Sequence, residues 1–293
     1  AGADGTIAQF FLRLDRLLAA HEVTPEHVRG IGISCGGPLD TQAGLILSPP
    51  NLPGWDRVPI IELFAQRYGA PVSLENDANA GALAEWRFGA GQGARNLIFL
   101  TFGTGIGAGL ILDGRLYAGA NGMAGEIGHV RLTPSGPVGY GKAGSVEGYC
   151  SGGGIAQFAR MELEQAQQAG RDTGLLGAMP DPQAITAKDV AVAAQAGDEL
   201  AIRIFETTGS YLGMALAILI DVLNPDCIVI GSIYVRCEQF IAPAMQKVIA
   251  AEALEQSRQV CRVVPAALGE AIGNYAALSV ALRAAGLLNE GVS

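Results

Sequence analysis

The sequence has few charged residues, no closely spaced cysteines and no long apolar run. Only 16% of its 293 residues are charged, and its formal net charge is −9. Nucleic acids and anionic membranes bind clusters of Lys and Arg, so this balance argues against both as partners. The five cysteines are scattered and show no metal-ligand spacing, which indicates reduced thiols in a cytoplasmic protein.

A membrane span and a secretory signal are also missing from the sequence pattern. The most apolar run, 214–220, is followed by Asp221 and is far shorter than a bilayer requires. Residue 1 is Ala, with no basic and apolar leader after it, so we expect a soluble protein without a signal peptide. The missing initiating Met indicates that an upstream stretch is not included.

Apolar residues and glycine are abundant. Apolar residues make up 49% of the chain, and 41 residues are Gly. A chain of 293 residues exceeds the usual size of one core, which predicts two domains with a ligand-binding cleft between them. The glycines are typical of tight turns and of close approaches of backbone to ligand, although a loop-rich fold without a ligand would use them too.

Apolar periodicity predicts alternating helices and strands, hence the α/β class. The predicted helices are 6–20, capped by Asp4 or Thr6, then 59–69, 77–88, about 198–223, and one beginning near residue 270. The predicted strands are 28–34, 71–75, 96–101, 107–112, 227–230 and 260–264. Segment 48–55 contains three prolines and must be an irregular loop. Asp113-Gly114 favours a two-residue hairpin turn with Leu112 opposite Arg115.

Asp77 is the candidate general base. It follows a predicted strand and begins a predicted helix, a position that points a carboxylate into a cleft. A neutral hydroxyl is a poor nucleophile, and a carboxylate that accepts its proton assists its attack. The alternative is that Asp77 only caps the helix and interacts with its dipole.

Two glycine-rich segments are candidate binding sites. Gly103, Thr104 and Gly105 form a strand-turn-strand junction where backbone N–H groups can approach a phosphate, although such a turn can also be purely structural. Glu126 and His129 lie three residues apart in a Gly-rich loop, so both can reach adjacent hydroxyls of one ring. A structural histidine is the alternative for His129.

Four segments in this order resemble the ROK family of repressors, open reading frames and kinases. They are PNLPGW at 50–55, ENDANA at 75–80, TFGTGIGAG at 101–109 and GEIGH at 125–129. The match runs from Val28 to Leu287, and each motif alone would be weak. The resemblance implies the two-domain actin-like ATPase (ribonuclease H-like) fold, with residues 1–96 plus 274–293 in the smaller domain and 97–273 in the larger.

The resemblance also implies an ATP-dependent sugar kinase with Asp77 as base. It places ATP phosphates at the turn 103–105, with Mg²⁺, and the adenosine beside Gly231 and Ser232, although a strand and turn give that last pattern without nucleotide. The positions that it assigns to sugar hydroxyls are Asn51, Asn76, Glu126, His129 and Glu147. Domain closure would exclude water from the transfer.

The sequence departs from the family pattern in two places. Many members have three zinc-binding cysteines after the His, and Val138, Tyr140 and Ser145 stand there instead. We therefore expect no structural zinc, and packing by Val138 and Tyr140 to hold the loop. The family's opening strand and Asp-Gly-Gly-Thr-like loop are also absent, because the segment 4–6 has no strand before it and starts a helix.

Two explanations of the missing loop remain open. Either an N-terminal stretch of a normal kinase is omitted, which the missing Met favours, or the protein binds sugar without phosphorylating it. A sugar-sensing regulator of the same family is the further alternative, and an upstream helix-turn-helix would identify it. The sequence does not select among hexoses and N-acetylhexosamines. A homodimer or homotetramer is what the resemblance implies.

Overall fold

The computed structural model describes residues 2–171, 173–175 and 181–288, which alternate between helices and strands and confirm the α/β class. The helices are α1 (Ala3–Ala20), α2 (Ile60–Tyr68), α3 (Asp77–Phe88), α4 (Val146–Cys150), α5 (Gly152–Gln168), α6 (Ala187–Gln195), α7 (Glu199–Leu223), α8 (Ile233–Glu252), α9 (Glu255–Val260) and α10 (Ile272–Ala284). The strands are β1 (Ile31–Cys35), β2 (Leu39–Asp40), β3 (Leu45–Ile46), β4 (Val72–Asn76), β5 (Leu97–Phe102), β6 (Ile106–Leu112), β7 (Arg115–Tyr117), β8 (Val138–Gly139), β9 (Lys142–Ala143), β10 (Cys227–Ile230) and β11 (Arg262–Pro265).

A five-stranded mixed sheet forms the centre of the larger part of the molecule. Its strand order is β11-β10-β5-β6-β7, with β10 parallel to both of its neighbours and β6 antiparallel to β5 and β7. The predicted hairpin is confirmed, since Leu112 pairs with Arg115. Asp113 and Gly114 have φ of 53° and 70°, the left-handed values that a type I′ turn needs.

Both faces of this sheet are buried because successive side chains point to opposite sides. On β5, Ile98, Leu100 and Phe102 pack into one core with α4, α5, α7 and α8. Leu97 and Phe99 point the other way, into a second core with α3 and α10. The carboxyl ends of the parallel strands β5 and β10 therefore meet at one edge, between two layers of helices.

The N-terminal part is built on a two-stranded parallel sheet of β1 and β4. Ile31 and Ile33 pack on one side against the core of α1 and α2. Gly32, which points the other way, lies against α10, where an added Cβ would be 2.1 Å from the carbonyl oxygen of Ala277. The last helix of the chain thus packs directly on the first strand.

Helix α7 is long and apolar enough to cross a membrane by length and composition, but half of its most apolar window is buried in the protein. The buried side supplies residues such as Phe205, Leu212 and Leu216 to the core on the α7 side of the sheet. The absence of a membrane partner stays a prediction.

Several predicted boundaries were wrong. Helix α1 begins at Ala3, with Gly2 as its N-cap, so neither Asp4 nor Thr6 caps it; the Thr6 hydroxyl donates to the Gly2 carbonyl at 3.1 Å. The first strand starts at Ile31, not 28, because a short 3₁₀ turn at Pro25–His27 precedes it. Val260 ends α9 instead of beginning a strand. The proposed domain limits stay predictions, and residues 289–293 of the smaller one lie outside the described residues.

Candidate active site

Asp77 lies at the junction of β4 and α3, as predicted. Asn76 is the N-cap, because its Oδ1 accepts a hydrogen bond from the Asn79 backbone N at 2.7 Å. Asp77 is the first helical residue, and its Oδ1 accepts from the backbone N of Ala78 at 3.0 Å. The side chain that caps α3 is therefore that of Asn76 and not that of Asp77.

The Asp77 carboxylate is accessible but has an altered acidity. Its side chain is exposed, yet enough protein surrounds it that burial raises the pKa of its carboxyl, against the lowering effect of backbone hydrogen bonds. The Cys35 thiol, at the end of the neighbouring strand, has its pKa raised by burial and then by the Asp77 charge. A weaker acid is a better proton acceptor, which suits a general base.

A buried carboxylate lies beside this junction. Glu75 is 4% exposed, and its Oε1 accepts from the Asn76 backbone N at 3.1 Å and from Asn79 Nδ2 at 2.9 Å. Its Oε2 accepts from Arg283 Nη1 at 3.0 Å. Sequence reasoning gave no role to Glu75 or Arg283, since residues 208 positions apart carry no local signal of contact.

Glu126 and His129 are held by a short turn pressed against β6. The Ala108 backbone N donates to the Gly125 carbonyl at 2.8 Å. A Cβ on Gly125, where φ is 93°, would be 2.0 Å from the Ala108 carbonyl oxygen. A Cβ on Gly128 would be 2.2 Å from that of Ile106. Only glycines permit this close approach.

The structure brings four of the predicted site residues together. Burial raises the pKa of the Glu126 carboxyl first, the charge of Glu147 raises it further, His129 lowers it and Asp77 raises it. Such mutual electrostatic effects require that the groups be near one another. Asp77, His129 and Glu147 therefore lie within electrostatic range of Glu126.

Glu147 links this cluster to the glycine turn. It lies in the first turn of α4, after the N-cap Ser145. Its Oε2 accepts from the Ile106 backbone N at 3.2 Å, and a Cβ on Gly105 would be 2.8 Å from the same oxygen. The predicted sugar site and phosphate turn are therefore adjacent.

The turn 103–105 joins β5 to β6 and is fixed by the start of α5. The Gly103 backbone N donates to the Gly105 carbonyl at 3.0 Å, and the Gly152 N donates to the Gly103 carbonyl at 2.7 Å. Thr104, at the centre of the turn, is exposed. The turn therefore lies directly against the N-terminus of α5, the end of a helix that carries partial positive charge.

Gly231 and Ser232 follow β10 at the same edge of the sheet. The Gly231 backbone N donates to the Leu100 carbonyl at 3.0 Å, and Ser232 has φ of 53°. A Cβ on Gly152 would be 3.1 Å from the Gly103 carbonyl oxygen and 3.4 Å from Cδ1 of Ile233. Both predicted nucleotide segments therefore flank the start of α5.

Asn51 is the site residue that the structure does not connect to the others. It is exposed in the loop that a backbone hydrogen bond from Ser48 N to Trp55 O closes at 2.8 Å. Trp55 anchors this loop in the N-terminal core. Among the described residues, no hydrogen bond joins Asn51 to the cluster.

Hydrogen bonds hold the loop that takes the place of the family's zinc site. Packing by Val138 and Tyr140 was a wrong prediction, because these side chains are 47% and 85% exposed. Instead Lys142 Nζ donates to the His129 carbonyl at 2.7 Å, and Arg131 Nη1 donates to the Ala143 carbonyl at 2.8 Å. Strands β8 and β9 pair within the loop.

Tyr140 contacts the site by its ring edge. The His129 and Tyr140 ring centroids are 6.1 Å apart and nearly perpendicular. Within the described ranges, no group of three or more His, Cys, Asp or Glu is placed to hold a metal ion. The absence of structural zinc stays a prediction from the substituted cysteine positions.

Comparison with known sequences identifies relatives over most of the chain. The ROK family model matches residues 8–284. A glucokinase of Halalkalibacterium halodurans is 37% identical over 220 residues, which are 74% of this chain and 65% of that protein. The chain thus spans just under two thirds of the length of this curated relative.

Solved structures show the same fold. A ROK family transcriptional regulator, a homologue of the Escherichia coli Mlc protein, has a TM-score of 0.80 at 27% identity and covers 97% of this chain and 70% of its own. A ROK family glucokinase from Streptomyces griseus, in complex with glucose and AMPPNP, has a TM-score of 0.76 at 30% identity, over 96% of this chain and 89% of that one. The chain has the actin-like ATPase fold that its motifs predicted.

Proposed function

The chain belongs to the ROK family, and from that we propose that it is an ATP-dependent sugar kinase acting on a hexose or N-acetylhexosamine. The observation that supports the proposal is the position of Glu147, which lies within electrostatic range of Glu126 and also accepts a hydrogen bond from the Ile106 backbone N at 3.2 Å, directly after the glycine turn. A sugar hydroxyl in the cluster would lie beside a phosphate at the turn.

In this proposal Asp77 accepts the proton of the attacking hydroxyl. The hydroxyl oxygen forms a bond to the γ-phosphorus as the bond to the bridging oxygen of ADP breaks, and the proton passes to the Asp77 carboxylate. ATP, with Mg²⁺ as its counter-ion, supplies the phosphoryl group. The residues proposed to bind the other sugar hydroxyls are Asn51, Asn76, Glu126, His129 and Glu147.

The cap geometry limits how Asn76 can act. Its Oδ1 already accepts from the Asn79 backbone N at 2.7 Å, so its amide group remains to donate to a sugar oxygen. Glu126 and Glu147 are acceptors when ionised, and they suit sugar hydroxyl donors. The backbone of 103–105, beside the start of α5, is proposed to hold the nucleotide phosphates, with Gly231 and Ser232 beside the adenosine.

The test is ADP formed per sugar over a panel of hexoses and N-acetylhexosamines, for wild type and Asp77→Asn. The substitution keeps the shape but removes the base, so turnover should fall by about 100-fold to 10,000-fold. Sugar affinity by calorimetry should stay within a few-fold. Asp113→Asn, in the exposed hairpin turn where Asn is well tolerated, is the matched control. A fully active Asp77→Asn variant would remove Asp77 from the mechanism.

A sugar-sensing regulator or a catalytically silent sugar binder is the second candidate. The similarity to the solved transcriptional regulator, with a TM-score of 0.80, supports the regulator as the second candidate. The same assay separates the two classes, because a regulator or silent binder would bind a sugar from the panel and form no ADP. A kinase would be expected to act in the cytoplasm, where ATP is supplied.

A further inference from the structure

We propose that the ion pair between Glu75 and Arg283 positions Asp77 for proton transfer, by tying the last helix of the chain to the junction that carries the base. This inference rests on the proposed kinase function. It assigns no contact with substrate to either residue, so both are positioning residues.

The Glu75 carboxylate is saturated by donors from two directions. Oε1 accepts from the Asn76 backbone N at 3.1 Å and from Asn79 Nδ2 at 2.9 Å, both within the junction. Oε2 accepts from Arg283 Nη1 at 3.0 Å. The side chain of Glu75 is 6% exposed and that of Arg283 is 39% exposed. A carboxylate this buried is costly to leave without its charged partner, so removal of Arg283 should disturb the junction.

Glu75 accepts hydrogen bonds from residues on either side of Asp77 in the sequence, Asn76 and Asn79. Asn76 precedes Asp77, and Asn79 both bonds to Glu75 and donates its backbone N to the Asn76 cap at 2.7 Å. The first turn of α3 is thus fixed at each end by a group that Glu75 holds. A shift of Glu75 would move the backbone of Asp77 directly.

Arg283 is itself rigidly placed. It lies on α10, whose residues Ala276 and Val280 are buried in the core that also contains α3. The same helix lies against Gly32 of β1, where an added Cβ would be 2.3 Å from the backbone N of Ala281. The Arg283 guanidinium therefore reaches Glu75 from a helix that packs against both α3 and β1.

Loss of the ion pair should affect the reaction rate because that rate is sensitive to the position of the base. Proton transfer and in-line attack need the base and the hydroxyl in near-attack geometry, and a misplacement of about 1 Å can cost about 100-fold in rate. Binding of the sugar, which several side chains share, should be less sensitive. Loss of the ion pair should thus lower kcat far more than it raises KM.

The experiment uses the full chain with Glu75→Gln, Arg283→Met, Arg283→Lys and the double variant Glu75→Gln/Arg283→Met. Glu75→Gln keeps an oxygen for the Asn76 and Asn79 donors but turns an amide N–H towards Arg283, so it breaks the ion pair selectively. We expect kcat to fall by about 10-fold to 100-fold in Glu75→Gln and Arg283→Met, with the sugar KM within about three-fold.

The kcat of Arg283→Lys and of the double variant distinguishes a positioning role from an effect on stability alone. Arg283→Lys should recover most of the lost kcat, and the double variant should be no slower than the slower single variant, because both remove one interaction. Arg203→Met, which removes an exposed pair with Glu199 on α7, is the matched control and should keep wild-type kcat. If Arg283→Met does not fold, Glu75→Gln and Arg283→Lys carry the test.

Two results overturn the inference, and they differ from each other. Wild-type protein that forms no ADP with any sugar overturns the proposed function and this inference with it. Active wild-type protein whose Glu75→Gln variant keeps wild-type kcat overturns the inference alone, as does additive loss in the double variant.

Discussion

At the scale of single residues, ionisation of the Asp77 carboxyl should have opposite effects on stability and on activity. Burial raises the pKa of its carboxyl in the folded protein. A group whose folded pKa is raised stabilises the fold below its unfolded pKa, and this contribution is lost as pH rises through the folded pKa. At neutral pH the ionised carboxylate therefore weakens the fold, although ionisation is what its proposed role as a base requires.

The first prediction concerns pH and Asp77→Asn. We expect the variant to unfold at a higher temperature than wild type at pH 7, with the difference disappearing below the ordinary Asp pKa of 3.8. Calorimetric unfolding across this pH range is the measurement. In wild type, kcat/KM should decrease with acidification through a pKa above 3.8. A variant less stable than wild type at pH 7 would contradict the raised pKa.

The second prediction concerns Gly125. In Gly125→Ala, the new Cβ would be 2.0 Å from the Ala108 carbonyl oxygen, so the turn that holds Glu126 and His129 must leave β6. We expect sugar affinity to fall more than about 10-fold, consistent with loss of one or more charged hydrogen bonds. Gly122→Ala is the control, since Gly122 has φ of 82° but nothing within 4 Å of its added Cβ. Sugar affinity is measured by isothermal titration calorimetry. Equal losses of affinity in Gly125→Ala and Gly122→Ala would refute the argument.

At the scale of elements, the sequence predicted most of what local signals determine. Asn76 and Asp77 marked the start of α3 at the correct residue, because a side-chain cap is a property of adjacent residues. The Asp113-Gly114 turn fixed the register of β6 and β7 for the same reason. The start of β1 was misplaced because an apolar run does not reveal the turn that precedes it.

The close contact of β1 with α10 gives a third prediction. Gly32→Ala would place a Cβ 2.1 Å from the Ala277 carbonyl oxygen, and backbone atoms on both sides must shift. We expect a loss of about 1–3 kcal/mol, as for overpacking of a core, by urea unfolding. Gly36→Ala, with nothing within 4 Å of its Cβ, should stay within about 0.5 kcal/mol of wild type. Comparable losses in both would argue that α10 can move away freely.

At the scale of the whole molecule, long-range contacts were beyond the reach of sequence patterns. No motif indicated that Arg283 meets Glu75, or that Lys142 and Arg131 hold the loop where family members bind zinc. The packing predicted there was wrong because Tyr140 stands out into solvent. The position of Asn51 relative to the cluster also stays a prediction, since its loop depends on tertiary contacts of Trp55.

The outer face of α7 gives a fourth prediction, for self-association. Met214, Ile218 and Val222 recur at four-residue spacing and are 38%, 42% and 73% exposed. Met214 and Ile218 of this stripe line a recess of about 320 Å³, with Arg131 and Glu252 at the same recess. We propose that the homodimer implied by the family resemblance forms here.

Sedimentation velocity tests that interface. Ile218→Asp should lower the sedimenting mass to that of one chain, whereas Val192→Asp, at another exposed apolar position on α6, should leave the mass unchanged. An Ile218→Asp protein with unchanged mass would exclude this face.

The packing of α10 on β1 and beside Glu75 also bears on how the protein is made. Arg283 leaves the ribosome 208 residues after its carboxylate partner, so the nascent chain exposes β4 and the start of α3 long before the helix that completes them is synthesised. Until that helix docks, the Glu75 charge lacks its counter-charge. In the proposed function, the base would therefore be correctly oriented only after α10 has been synthesised, and chains terminated before α10 would lack that orientation.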